Sequence, residues 1–213
     1  MRICLSTSIL MFELPTDKLV KLPPPHASSQ ISLEEALAKR RSIRAFSSAP
    51  LALEEIGQLL WAAHGITEKT DGLRTAPSAG ALYPLEIYVV MEWGVYHYLP
   101  HNHELTRTRE NDLRRELWRA ALRQECLREA PLVFIIAGVF ERTMWKYGER
   151  AQRYVYMEAG HVAQNLLLEA TALGLGAVPV GAFHDEEVEK VLKLPKEQSA
   201  LYLIPVGRPL EKP

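Results

Sequence analysis

The sequence predicts an α+β fold rather than a doubly wound sheet. Helical and strand patterns are interspersed, one hairpin joins two strands, and regular strand–helix–strand alternation is scarce. At 213 residues the chain is long enough for one substantial core and short for two. An extended leader is expected over residues 1–30 and a single domain over 31–213.

Pro23-Pro24-Pro25 keeps the leader extended, because each ring fixes its own φ and pushes its predecessor away from helix. Ser32 opens a helix with Glu35 three residues on, a capping-box pattern, and Leu33, Ala36 and Leu37 carry it to about Arg40. A second helix is expected over 53–64, where Leu53, Ile56, Leu59, Leu60 and Ala63 share a face and Gly65 follows. Residues 67–84 read as a long loop containing Pro77, Gly80 and Pro84, and loops of that length usually serve function. Strands at 86–91 and 95–99 make the hairpin. An amphipathic helix covers 112–125, and 132–139 is a nearly all-apolar strand buried on both faces. The longest helix runs from Ala151 to Leu173 and is apolar almost all round beyond Val155. Such a helix needs cover on every side, in part from a second subunit. Gly174 and Gly176 end it. A short strand at 177–180, a helix at 185–192 and a last strand at 200–206 complete the chain.

Composition narrows the partners. Apolar residues make up 47% and charged residues 24%, and 25 basic against 26 acidic side chains leave a net charge of -1. That balance excludes the broad Lys/Arg excess of a nucleic-acid protein but leaves room for one buried phosphate. Cys4 and Cys126 lack disulfide or zinc spacing, so a reducing cytoplasm is the expected location. No run approaches the ~18 apolar residues of a membrane span. Met1 to Phe12 lacks a signal-peptide cleavage site, and Met11 stands as an alternative start. His97, His101 and His103 have no paired Cys or helical spacing and are expected to be solvated, with no metal; His161 is expected to be a buried structural His.

Arg40-Arg41-Ser42-Ile43-Arg44 packs three guanidinium groups and a hydroxyl into five residues. These donors suit a single phosphate monoester, and equally a solvated basic corner. Three further segments follow in order: Pro77-Ser78-Ala79-Gly80-Ala81-Leu82-Tyr83-Pro84, then Gly160-His161-Val162-Ala163-Gln164-Asn165 leading to Gly174-Leu175-Gly176, then Val206-Gly207-Arg208-Pro209. With these four segments the chain resembles the FMN-dependent nitroreductase superfamily, and within it the SagB-type dehydrogenase branch, over about residues 30–210.

The resemblance implies a nitroreductase-like fold: a central, mostly antiparallel sheet flanked by helices, in an intertwined homodimer with FMN at the interface. It implies that Arg40, Arg41 and Ser42 hold the FMN phosphate and ribityl chain, and that Arg44 faces the N1–C2 edge of the ring. A fixed cation there would stabilise the charge of the reduced ring. Arg208 would close on the phosphate from the other side. Pro77, Ser78, Ala79, Gly80 and Leu82 would touch the partner subunit's flavin, Gly80 because no Cβ intrudes. Val180, Gly181 and Ala182 would lie against flavin N5, with Gly181 where other members carry Glu. Lys146 and Tyr147 match the Lys-Tyr pair implicated in proton removal by azoline-oxidising members, a role that suits a buried Lys.

The expected activity is FMN-dependent hydride transfer through N5, linked to NAD(P)H and reducing nitroaromatic or quinone-like acceptors. A SagB-like dehydrogenase oxidising azoline rings to azoles is the alternative, and a flavin-binding protein without turnover is a third.

Overall fold

The computed structural model of the protein describes residues 18–210; Cys4, Met11 and the first part of the leader lie outside them. In chain order the first elements are β1 (Leu19–Lys21), α1 (Leu33–Lys39), α2 (Leu53–His64), β2 (Ile66–Glu68), β3 (Leu73–Arg74), β4 (Leu85–Met91), β5 (Gly94–Leu99) and β6 (Glu104–Arg109). Then come α3 (Arg114–Ala120), α4 (Cys126–Glu129), β7 (Leu132–Gly138), α5 (Glu141–Tyr147), α6 (Ala151–Ala172), β8 (Gly176–Ala177), α7 (Asp185–Leu192) and β9 (Ser199–Gly207).

Seven strands form one sheet in the order β1-β6-β5-β4-β7-β9-β8, every neighbouring pair antiparallel. The expected α+β architecture with an antiparallel sheet is therefore present. Alternation along the central strands splits the core in two. Leu85, Ile87, Val89 and Met91 of β4, with Leu132, Phe134 and Ile136 of β7, pack against α2 and α6. Tyr88 and Val90, with Val133, Ile135 and Ala137, pack against α3, α4 and α7 on the opposite face. All seven residues of β7 are buried, as its unbroken apolar run predicts.

Several expectations change. The helix expected over 112–125 is broken: α3 stops at Ala120, and Leu122 and Arg123 turn through φ 55° and 57° before α4. The break lets Leu117 and Ala120, then Cys126 and Leu127, reach one core while Leu122 stays exposed. The region read as a long loop holds the small β2–β3 hairpin. Sequence reading missed β1 and β6, whose pairing edges the sheet, because Leu105 is the one buried residue of β6. It missed α5 as well, where Thr143 alone is buried and no apolar stripe exists. The strand expected at 177–180 pairs over Gly176–Ala177 and again, as a single bridge, at Val180.

In α6, Val155, Ala159, Val162, Ala163, Leu166, Leu167 and Ala170 face inward. The cover expected on every side is absent within one chain: Tyr156 and Met157 are exposed, and so is His161, which is not the buried His expected. Leu33 and Leu37 of α1 and Met144 and Trp145 of α5 are exposed apolar residues too. No described helix is long and apolar enough to cross a membrane.

One close approach ties the fold to the basic pentad. The Ile43 amide donates to the Ala177 carbonyl at 3.1 Å, and Ser42 bridges Ala177 in parallel. A Cβ on Gly176 would stand 2.7 Å from Ile43 Cβ, closer than packed carbons allow. Gly176→Ala should therefore lower stability by about 1–3 kcal/mol, the usual cost of overpacking, read as a fall in denaturation midpoint. An unchanged midpoint would show that the pentad backbone can yield.

Candidate active site

The site residues fall into two groups, set by opposite ends of α6. The first is the pentad. Ser32 caps α1 by accepting from the Glu35 amide at 3.1 Å, while the Glu35 carboxylate turns to Lys39 instead of closing the box. The chain leaves α1 at Arg40 and runs beside β8, then Phe46 bridges Pro209 and the Ser47 amide bonds the Arg208 carbonyl at 2.9 Å. Backbone pairing thus ties Phe46 and Ser47, just past the pentad, to the segment that carries Arg208. Among the described residues Arg40, Arg41 and Arg44 make no ion pair. Arg41 bonds the carbonyls of Ala38 and Arg40. Arg44 lies near the Cys126 thiol, whose pKa burial raises while the guanidinium works the other way. Arg208 is engaged by Glu55, with Nη2 2.9 and 3.1 Å from its two oxygens. Glu55 also accepts from the Ala52 amide at the start of α2.

Val180 exchanges backbone hydrogen bonds with Leu203 at 2.8 and 3.0 Å, so its amide is committed to the sheet. Gly181 and Ala182 beyond it are exposed, and the Ala182 carbonyl accepts from Gln124 at 2.9 Å.

The second group is the turn at Pro77–Pro84. Gly80, Ala81 and Tyr83, on either side of a right-handed Leu82, take φ of 64°, 55° and 46°, which strains the two non-glycine residues. A Cβ on Gly80 would meet Lys146 Nζ at 2.7 Å and the Tyr147 hydroxyl at 2.8 Å, so both groups close over the missing side chain. Lys146 Nζ sits 5.6 Å from the Tyr147 ring centre, and Tyr154 meets that ring edge-on at 5.0 Å. Lys146 is exposed in the single chain, contrary to the buried base expected. Pro77 is exposed, and Ala79 and Leu82 are half-buried.

Ser78 points inward. Its hydroxyl donates to Glu158 Oε2 at 2.5 Å and accepts from the Tyr83 amide at 2.9 Å. Glu158 is buried in α6, and burial raises its pKa from 4.5 to about 7, with Ser78 and Arg74 opposing. Its Oε1 has no partner. Arg74 stacks on Tyr83 at 4.5 Å and meets His64, whose pKa burial lowers to about 3. Burial works to raise Glu86, but hydrogen bonds from His97 and Arg142 outweigh it and keep the carboxyl ionised more readily. Sequence reading missed His64, Arg74 and Glu158. The signal for Glu158 was present: a carboxylate in the Val155–Ala159–Val162 core stripe. His97 and His103 were expected to be solvated, but His97 bonds Glu86 at 2.6 Å and His103 bonds Tyr98 at 2.9 Å. Among the described residues no three His, Cys, Asp or Glu side chains group as metal ligands.

Fold and site together define a nitroreductase-like α+β protein. The nitroreductase family model matches residues 37–208, and the chain belongs to that family of oxidoreductases. A provisionally named nitroreductase of Methanocaldococcus jannaschii is 50% identical over 188 residues, covering 85% of this chain and 93% of that one. The microcin B17-processing protein McbC of Escherichia coli is 28% identical over 167 residues, 72% of this chain and 61% of that longer protein, a likeness that supports the SagB-type branch. A crystal structure of a provisionally named nitroreductase from Ralstonia eutropha superposes with TM-score 0.85 at 28% identity, covering 92% of each chain.

A raised carboxyl pKa sets the sign of a stability test. Neutral Glu158 is favoured by the fold, so its contribution is full below pH 4.5 and is lost as pH rises through about 7. Glu158→Gln should match wild type at pH 4 and exceed it by about 1–3 kcal/mol at pH 8, measured by chemical denaturation. An equal offset at both pH values would mean that Glu158 carries no charge penalty.

Proposed function

We propose that the protein is an FMN-dependent oxidoreductase acting as a homodimer. The carrying observation is a run of three guanidiniums and a hydroxyl that among the described residues has no acidic partner, followed directly by a segment whose backbone pairs with Arg208 and Pro209. That donor set fits a phosphate monoester. Arg40, Arg41 and Ser42 hold the phosphate and ribityl chain, Arg208 closes on it, and Arg44 offers its charge to the N1–C2 edge. Gly181 and Ala182 face the N5 side. When bound, FMN supplies two-electron hydride chemistry, from NAD(P)H to nitroaromatic or quinone-like acceptors.

A second copy completes the site. Within one chain the pentad lies beside β8, past the C-terminal end of α6, whereas Ser78 is tied to Glu158 in its first half. From Glu158 to Ala172 that helix rises about 20 Å. Two copies related by a two-fold axis would bring Pro77, Ser78, Ala79, Gly80 and Leu82 of each to the pentad of the other. The exposed apolar residues of α1, α5 and α6 offer the surface for such pairing.

A specific observation favours the azoline-oxidising dehydrogenase as a second reading: Lys146 Nζ and the Tyr147 hydroxyl meet at Gly80. There Lys146 would take the proton from the ring carbon and Tyr147 would orient its amine, bound FMN would be the two-electron acceptor for the hydride that the ring also loses, and the partner chain would supply the burial that one chain lacks.

The test begins with a visible spectrum of the purified protein, which should be yellow and bleach under NAD(P)H. Arg40→Ala and Arg44→Ala should each weaken FMN binding by about 1.5–3 kcal/mol, the scale of a charge-assisted hydrogen bond; full affinity in both would sink the pentad assignment. Lys146→Ala should abolish azole formation on a peptide substrate while leaving NAD(P)H bleaching in place. Loss of both would argue for a structural role. Light scattering on dilution should show no flavin-loaded monomer.

A further inference from the structure

The Ser78 hydroxyl both closes the turn and fastens it to α6 behind, while Arg142 and the Arg74 amide bond Tyr83. The hydroxyl accepts from the Tyr83 amide across the turn and donates to a carboxyl inside the core. A turn with strained Ala81 and Tyr83 persists only while its surroundings hold it. On its outer side the same turn abuts Lys146 and Tyr147.

We propose that Glu158 is a positioning residue: through Ser78 it holds the Gly80–Leu82 turn against Lys146 and Tyr147, and ionisation of its carboxyl releases that turn. The inference rests on the assignment of this turn to the active site and adds to it a buried control element.

The direction follows from linkage. Glu158 favours the neutral form in the closed arrangement, because burial outweighs Ser78 and Arg74. Opening the turn admits water to the carboxyl and restores its ordinary acidity. Ionisation therefore favours the open state, and the turn is held most firmly at acid pH. The unpartnered Oε1 makes the buried anion costlier still. Of the charged groups around it, Arg74 from β3 acts on Glu158 directly, and His64 from α2 and Glu86 from β4 act on Arg74. Arg142 of α5 bonds the Tyr83 carbonyl and Glu86, and Lys146 lies beyond Gly80. With its pKa near 3, His64 stays neutral through the relevant range and is not the switch. His97, tied to Glu86, is separated from Glu158 by the variant below.

Amide hydrogen exchange of the full-length protein, corrected for intrinsic rates, reads the turn at Tyr83. Protection should fall by about tenfold or more between pH 5 and pH 9, with the fall complete once pH passes about 7 and a plateau above it. Glu158→Gln, a neutral isostere, should keep high protection throughout. Ser78→Ala should lose at least tenfold of protection already at pH 5, which keeps the idea testable should the Gln variant misfold. A flat wild-type curve, an unchanged transition in Glu158→Gln, or full Tyr83 protection in Ser78→Ala would each overturn the proposal. Fluorescence titration with FMN is run in parallel. Absence of FMN binding alongside a normal exchange transition would reject the flavin assignment and leave the positioning role standing.

Discussion

Everything in this molecule hangs on the burial of β7. It runs antiparallel between β4 and β9, and its alternating side chains fill both layers of core. A strand that is apolar on both faces has to be covered by helices on both faces. That requirement places α2 and α6 on one side and α3, α4 and α7 on the other. It also fixes where the edges fall. The pentad runs along the β8 edge, and the turn before β4 is pressed between the sheet and the helices α5 and α6.

The strongly periodic parts of the fold were legible in the sequence. The apolar run of 132–139, the hairpin across Glu92-Trp93-Gly94 and the long helix after Ala151 all carry their pattern in their own residues. What was illegible depends on partners. β6 has the residues Glu-Leu-Thr-Arg-Thr-Arg and is a strand because β5 and β1 offer it hydrogen bonds. α5 has no apolar stripe and is set by the elements around it. The break at Leu122 and Arg123 arises because two short helices must reach one core, a demand that local amphipathicity does not express.

The candidate site divides the same way. The pentad, Arg208, Gly80, Lys146 and Tyr147 were visible as residue types; the structure pairs the segment after the pentad with Arg208 and Pro209 and brings the last three together. The supporting polar cluster was not. Arg74 sits in a two-residue strand, His64 closes a helix, and Glu158 hides in an apolar stripe. Only Glu158 left a trace, as a carboxylate in a core stripe, and each of the three gains its meaning from the desolvation that tertiary packing imposes. Buried polar groups of this kind cost stability, which is why they are informative where they occur.

The Arg208–Glu55 pair has a further consequence. Because Glu55 also accepts from the Ala52 amide, the guanidinium is moored to a carboxylate that itself belongs to a helix start. Glu55 engages only Nη2, so an anion that met Arg208 would share the guanidinium with that carboxylate. The mooring costs intrinsic attraction but spares the arriving ligand much of the entropy of freezing a long side chain.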